Sequence, residues 1–336
     1  MHAGRRYSLF EFLLWTRRSI YWLLVIGCVP VVLYQIAGWK WMAIPWTVVA
    51  LLGTATAFIV GFKNTQTYNR TWEARQIWGG ILNHSRAWAV MSRDFLRGRP
   101  QEARALVSRH IAWLTALRYQ MRDGRVWENL HLAHNSEYRR QYRVPELDTP
   151  LQDELARHLV ADELLSILAT KNRAAQIMSL QSAALAKLAA EGALEPLYHL
   201  EMQRAVRDHF DHQGRSERIK NFPYPRQFAT INTFFIRLFC FLLPFGMLRE
   251  FDALNDRVAG LMHGHMVWLV IPFSLLLSWV YVSLEQVGES TENPFEGGAN
   301  DVPISQMSRA IEIDMLEMLG DTKLPPAIQP QNNILL

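Results

Sequence analysis

The chain has 336 residues, half of them hydrophobic, with a formal net charge of only +4 and a mean hydropathy close to zero. That average excludes a chain embedded throughout in lipid, so the apolar residues must be gathered into a few segments with a water-facing remainder. The basic residues are dispersed among acids, which argues against a nucleic-acid partner and fits the basic cytoplasmic face of a membrane protein.

Arg5, Arg6, Arg17 and Arg18 precede the first apolar run, which is too long for a signal peptide and lacks a cleavage-like end. Two charge-free runs, Ser19–Trp39 and Trp41–Phe62, flank the lone Lys40. Each is long enough to cross a hydrocarbon core of roughly 30 Å as a helix. Residues 1–62 therefore read as an N-terminal segment and a transmembrane hairpin, with spans at about 20–38 and 42–62. Trp39, Trp41 and Trp46 suit an interfacial aromatic belt, and Pro45 suits the first turn of a helix.

Residues 63–228 read as a cytosolic helical region. Arg70–Phe95 places Trp72, Ile77, Ile81, Trp88 and Phe95 at helical spacing, and Gly98 and Pro100 punctuate it. Further helices are expected over Gln101–Met121, Leu151–Leu168, Ala174–Leu188 and Leu197–Phe210, with breaks at Gly192 and Pro196 and a connector at Asn221–Pro225. β-Branched alternation is nearly absent, so no strands are expected.

Residues 229–285 hold the third and fourth spans. The third, Ile231–Leu248, is interrupted by Arg237, which snorkels or pairs with an acid, and Pro244 should kink it. The fourth is most apolar over Met266–Leu284. Residues 286–336 give a loop over Ser290–Val302, an amphipathic helix over Ile304–Leu319 and a loose tail. Four spans put both termini on one side. Arg17, Arg18, Lys63, Arg70, Arg75, Arg215 and Lys220 choose the cytoplasm for that side, and the cell (inner) membrane for the protein.

Chemistry is thinly represented. Cys28 and Cys240 both lie in apolar runs and read as buried thiols. The pairs His131/His134 and His209/His212 have helical spacing but no third ligand, and read as surface histidines with no metal. There is no HExxH, P-loop, GxSxG or Gly-rich phosphate loop, so neither an enzyme nor a cofactor is expected.

Three segments carry a resemblance: GFKNTQTYNRTWEARQIWGG (Gly61–Gly80), IRLFCFLLPFG (Ile236–Gly246) and ENPFEGGANDVPI (Glu292–Ile304). In order and in relation to the spans, the chain resembles the bestrophin family of ion channels, particularly its bacterial members. The resemblance implies an all-α membrane protein, a homopentamer around one central pore, with the second span lining it. It places an apolar neck at Thr54, Phe58 and Phe62. These positions share one helix face at i, i+4 and i+8, and such rings can gate by dewetting. Spacing alone is equally served by packing in a bundle core or by facing lipid. Small neighbours, Gly53, Ala55 and Ala57, allow close helix approach. Thr54 stands where an aliphatic residue is usual.

The resemblance also implies a second constriction at the cytosolic exit, for which Ile177 is chosen, with Met178 next. Asn293, Pro294 and Phe295 would brace their loop against a neighbouring subunit. Animal members follow this motif with an acidic cluster. Here only Glu296 and Asp301 remain, too few carboxylates for a calcium clasp. Lys63 and Arg70 lie just inside the neck, where they favour anions, serve as ordinary positive-inside residues or pair with Glu73. The function implied is passage of small inorganic ions, chloride and other anions first, through a pentamer in the lipid bilayer. A monovalent-cation channel and a non-conducting scaffold for a soluble partner are the alternatives.

Overall fold

The structure is a computed structural model that describes residues 1–336, the side chain of Ala133 excepted. Twelve helices follow one another, with no sheet among the described residues: α1 Leu9–Gln35, α2 Trp46–Phe95, α3 Pro100–Arg122, α4 Ala133–Tyr138, α5 Pro145–Asp148, α6 Leu151–Leu155, α7 Ala161–Leu168, α8 Arg173–Ala190, α9 Pro196–Asn221, α10 Arg226–Asp252, α11 Val270–Ser290 and α12 Ile304–Met318. Four helical stretches are long and apolar enough to cross a membrane: Leu9–Gln35, Lys40–Phe95, Arg226–Arg257 and Met266–Ser290.

Local chemistry explains the boundaries. Helix α1 opens on a capping box in which the Ser8 hydroxyl accepts from the Glu11 amide at 3.1 Å and the Glu11 carboxylate accepts from the Ser8 amide at 2.7 Å. Pro45 stands one residue before the first turn of α2, and Pro100 and Pro196 open α3 and α9, where a missing N–H costs nothing. Gly98 and Gly192 take the left-handed backbone that ends the preceding helices.

Helix α2 is the frame of the molecule. Its 50 residues run without a break from the turn after α1 through Thr54, Phe58 and Phe62 into the helical body, about 75 Å. The change from apolar to polar composition at Lys63 alters what surrounds the helix, not the helix. Thr54, Thr56 and Thr65 turn their hydroxyls back onto Ala50, Leu52 and Gly61 carbonyls, at 2.8 to 2.9 Å, so they leave no donor unsatisfied in an apolar setting.

Two cores sit along this frame. The membrane core joins α1, α2, α10 and α11 through Leu23, Val31, Val49, Val60, Ile236, Leu243 and Val270. Close approach depends on glycine: a Cβ at Gly53 would stand 2.7 Å from the Phe239 ring, and one at Gly246 would stand 2.6 Å from Val49. Helix α10 continues through Pro244. The second core packs α3, α8, α9 and α12 around the far half of α2, through Trp78, Trp88, Trp113, Ile177, Met202 and Ile311.

Elsewhere the structure departs from sequence expectation. The stretch expected as one helix over Leu151–Leu168 is two short helices, α6 and α7. Cys28 is only partly buried, whereas Cys240 is fully buried. The expected loose tail is docked: Ile334 and Leu336 pack with Tyr142 and Val144, and the Leu336 carbonyl accepts from the Gln306 amide at 2.7 Å. Apolar side chains at Ile334 and Leu336 supply the burial that the tail's composition concealed.

Candidate functional site

The site is the exposed face of α2. In the protomer, Thr54 is exposed, Phe58 is 76% exposed and Phe62 is 53% exposed, all on one stripe of the helix. The stripe belongs to a wider uncovered side of α2 that also carries Val48, Leu51, Ala55 and Gly61, and the Phe62 ring meets Phe228 at 6.2 Å. Thr54 is less polar than its composition implies, because its hydroxyl proton is committed to the Ala50 carbonyl. Beside the stripe lies an open hollow of ≈ 550 Å³ whose walls include Gly53, Ala57, Phe58, Leu243 and Tyr281. The Tyr281 hydroxyl donates to the Gly53 carbonyl at 3.1 Å, which pins α11 against α2 at this level.

The basic residues that follow the stripe on α2, Lys63 and Arg70, are drawn into the protomer's own packing. Lys63 is 2% exposed and runs against Gly288 of α11. Arg70 donates from its guanidinium to the Ile219 and Phe222 carbonyls, so it finishes the C-terminal end of α9, where the helix dipole favours a cation. Its expected partner Glu73 is taken by Arg218. Both side chains fix the joint between the membrane half of α2 and the body.

Ile177 is 0% exposed, packed with Met178 in the core of the body, so in this chain it presents no side chain to a solvent-filled passage. The turn's exposed residues are Gln176 and Ser179.

Asn293, Pro294 and Phe295 are all buried within their own protomer. Phe295 meets Trp78 of α2 at 6.3 Å, and its carbonyl accepts from Arg122 at 2.9 Å. The Pro294 carbonyl accepts from the Val302 amide at 3.1 Å. The loop therefore braces α2 against α3 inside one chain. Asp301 accepts from the Gly297 and Gly298 amides at 2.7 and 2.9 Å and lies 3.7 Å from Arg122. Burial pushes Asp301 up to about 6, against the pull of Arg122. Burial alone would raise Glu146 as well, but the guanidiniums of Arg122 and Arg118 hold it below the usual range. This buried lattice of Arg118, Arg122, Glu146, Glu154 and Asp301 locks the loop onto the body.

The histidines differ most from expectation. His131 is exposed, but His209 is 0% exposed and His212 is buried, so the second pair is not on the surface. His209 sits between Trp88 and Trp113, with His110 at 4.6 Å between ring centroids, and neither of its nitrogens has a hydrogen-bond partner. His212 Nε2 lies 3.1 Å from His84 Nδ1, which also lies 2.9 Å from the Gly80 carbonyl. A carbonyl only accepts, so His84 carries its proton on Nδ1 and His212 accepts there. Burial, reinforced by neighbouring imidazoles, takes His209 down to about 3 and also holds His110 well below its ordinary value. The charged flanks Arg207, Asp208 and Asp211 concealed this. The readable signal was the period Met202, Val206, His209, Gln213, Ser216, which is the buried face of α9.

Residues 16–317 match the family model described as Bacterial/Fungal Bestrophin protein. The voltage-dependent anion channel-forming protein YneE of Escherichia coli (strain K12) is 26% identical over 289 residues, covering 85% of this chain and 81% of the relative. The voltage-dependent anion channel-forming protein RSc3414 of Ralstonia nicotianae is 26% identical over 277 residues, covering 82% and 78%. The crystal structure of a bacterial bestrophin homolog from Klebsiella pneumoniae superposes with a TM-score of 0.76 at 23% identity, over 91% of this chain and 99% of that one, a likeness that bears on the fold alone. Four membrane-length helices, the buried loop and the matched residues together make this chain a membrane protein that belongs to the bacterial and fungal bestrophin family.

Proposed function

We propose that the protein is an ion channel that passes small anions down their gradient through a homopentameric pore lined by α2. The observation that carries this reading is the stripe of Thr54, Phe58 and Phe62, which lies open on a helix that its own chain covers on one side only. Five copies of that stripe around one axis would bury the rings against a narrow lumen and bring the adjacent hollow under the neighbouring subunit. Aromatic rings stacked a turn apart hold no ion, so they can gate by drying. The relatives' names, which state anion channel formation, support the cargo. In this reading residues 63–228 and 286–336 are cytosolic, and both termini lie on the cytoplasmic side of the cell membrane.

A monovalent-cation channel of the same build is favoured by one observation: Lys63 and Arg70 are both engaged within the protomer, so neither supplies a free anion-attracting ring. Single-channel recording of the purified protein in planar bilayers under asymmetric salt separates the two. A reversal near the anion equilibrium value, with altered current in Phe58→Ala/Phe62→Ala, supports the proposal. A reversal near the cation value overturns the cargo. Silence of a verified pentamer overturns the pore.

A further inference from the structure

A second cavity, unrelated to the neck, lies where the first turn of α1 meets α4, the end of α11 and the loop after Phe295. It is largely enclosed, with a volume of ≈ 110 Å³. Its wall is aromatic, with Tyr7, Phe12 and Trp15 on the α1 side and Tyr138 and Tyr142 opposite. Ring centroids lie 6.3 Å apart for Tyr7 and Tyr138, 6.4 Å for Tyr138 and Tyr142, and 6.0 Å for Phe12 and Trp15. The Tyr7 hydroxyl donates to Asn300 Oδ1 at 3.2 Å and the Tyr142 hydroxyl to the Gly297 carbonyl at 3.1 Å. With those hydroxyls engaged, what the two residues can offer a guest is their rings.

The polar members of the wall include two carboxylates, Glu11 and Glu296. Glu296 is 5% exposed, and its Oε2 accepts from the Asn129 amide at 2.9 Å. Among the described residues neither carboxylate has a cation at ion-pair distance. The nearby cations are committed elsewhere: Arg17 and Arg18 to Glu137, Lys220 to Glu128, and Arg122 to Glu146 and Asp301. A buried carboxyl group in an aromatic box, with no cation of its own, is an incomplete arrangement.

We propose that this cavity binds a small alkylammonium group, held on the aromatic faces and neutralised by Glu296 and Glu11. Ring faces carry the negative part of the aromatic quadrupole and attract a cation, most strongly when water is excluded. An anion would meet two carboxylates, and a purely apolar guest would leave Glu296 uncompensated. The volume is well below that of a drug-sized pocket, so it fits one compact head. That head belongs either to a free amine or to a choline or ethanolamine lipid, because the first turn of α1 stands at the edge of the membrane segment. Glu296 faces Asp301, Glu128 and Lys220. Burial, followed by the Asp301 charge, raises it well above the ordinary carboxylate range, against the opposing pull of Lys220. A bound ammonium would favour its ionised form, so binding should strengthen with rising pH.

The test is calorimetric titration of the full-length protein in nanodiscs of phosphatidylglycerol alone, with choline and with the uncharged carbon isostere of choline. Choline should bind at least about tenfold more tightly than the isostere. Its affinity should rise between mildly acidic and mildly basic pH, and Glu296→Gln should lose about tenfold while melting as the wild type does. Tyr138→Leu provides a second variant should the first fold poorly, and it should weaken choline without weakening the isostere. Loss of the choline signal in discs containing phosphatidylcholine or phosphatidylethanolamine would identify the lipid head as the guest. An unchanged signal there would identify a free amine. Choline binding no tighter than the isostere, or tighter binding untouched by both variants, would overturn the proposal.

Discussion

Replacing His209 by phenylalanine should make the protein more tolerant of acid. His209 is packed between two tryptophans with both nitrogens unpartnered, and its folded value of about 3 lies below its ordinary 6.5. As pH falls, the unfolded chain takes up the proton first, so stability is intact above about pH 6.5 and is lost as pH falls toward about 3. At pH 5 the single imidazole costs about 2 kcal/mol, and at pH 7.5 almost nothing. Phenylalanine keeps the ring's bulk between Trp88 and Trp113 and has no proton to gain, so at pH 7.5 it should lie within about 1.5 kcal/mol of wild type. Melting in a neutral detergent, followed by tryptophan fluorescence, would compare the two proteins at both pH values. The variant's advantage should grow by about 3 °C on going from pH 7.5 to 5, given the usual entropy of unfolding per residue. An advantage that is the same at both values would refute the reasoning, because His209 would then act through packing alone.

Arg122→Met leaves Glu146 and Asp301 buried without their shared cation and should destabilise the protein by about 3 to 5 kcal/mol, read as a lowered melting temperature. Gly53→Val drives a branched side chain into the Phe239 ring and should cost about 1 to 3 kcal/mol, whereas Gly79→Ala, where a Cβ meets open space, should be neutral or stabilise by up to about 1 kcal/mol. Arg70→Gln should raise amide hydrogen exchange in the last turn of α9 and leave the reversal potential unchanged. A shifted reversal would return Arg70 to the ion path.

Much of the architecture was legible because membrane helices announce themselves. A run such as Trp41–Phe62 has no other stable home, and Pro100, Pro196, Gly98 and Gly192 mark the helix ends by their own backbone chemistry. The continuity of α2 was legible in part, since Trp41–Phe62 runs straight into a polar, Arg- and Trp-rich helix pattern with no helix breaker at Lys63. Phe58 and Phe62 could be placed on one face from spacing, but only the structure shows that face left open. The burial of Lys63 and the carbonyl partners of Arg70 could not be read from the sequence. Their partners, Gly288 of α11 and the end of α9, lie more than a hundred residues away in sequence. The same distance hides the burial of His209 among Trp88, His110 and Trp113.

The order in which the chain leaves the ribosome conflicts with the order in which its second core is built. Trp78, Trp88 and Trp113 emerge early, yet the same buried cluster includes Phe295, Ile304, Ile311 and Met315, made after the last membrane helix. Trp78, whose ring meets Phe295, must therefore wait for its cover while two more helices are inserted into lipid. Successful insertion of α10 and α11 becomes a condition for sealing the body, so a protomer with a misplaced final hairpin would carry an open apolar cleft. Chaperones and proteases recognise such clefts, which gives the cell a means of discarding faulty chains.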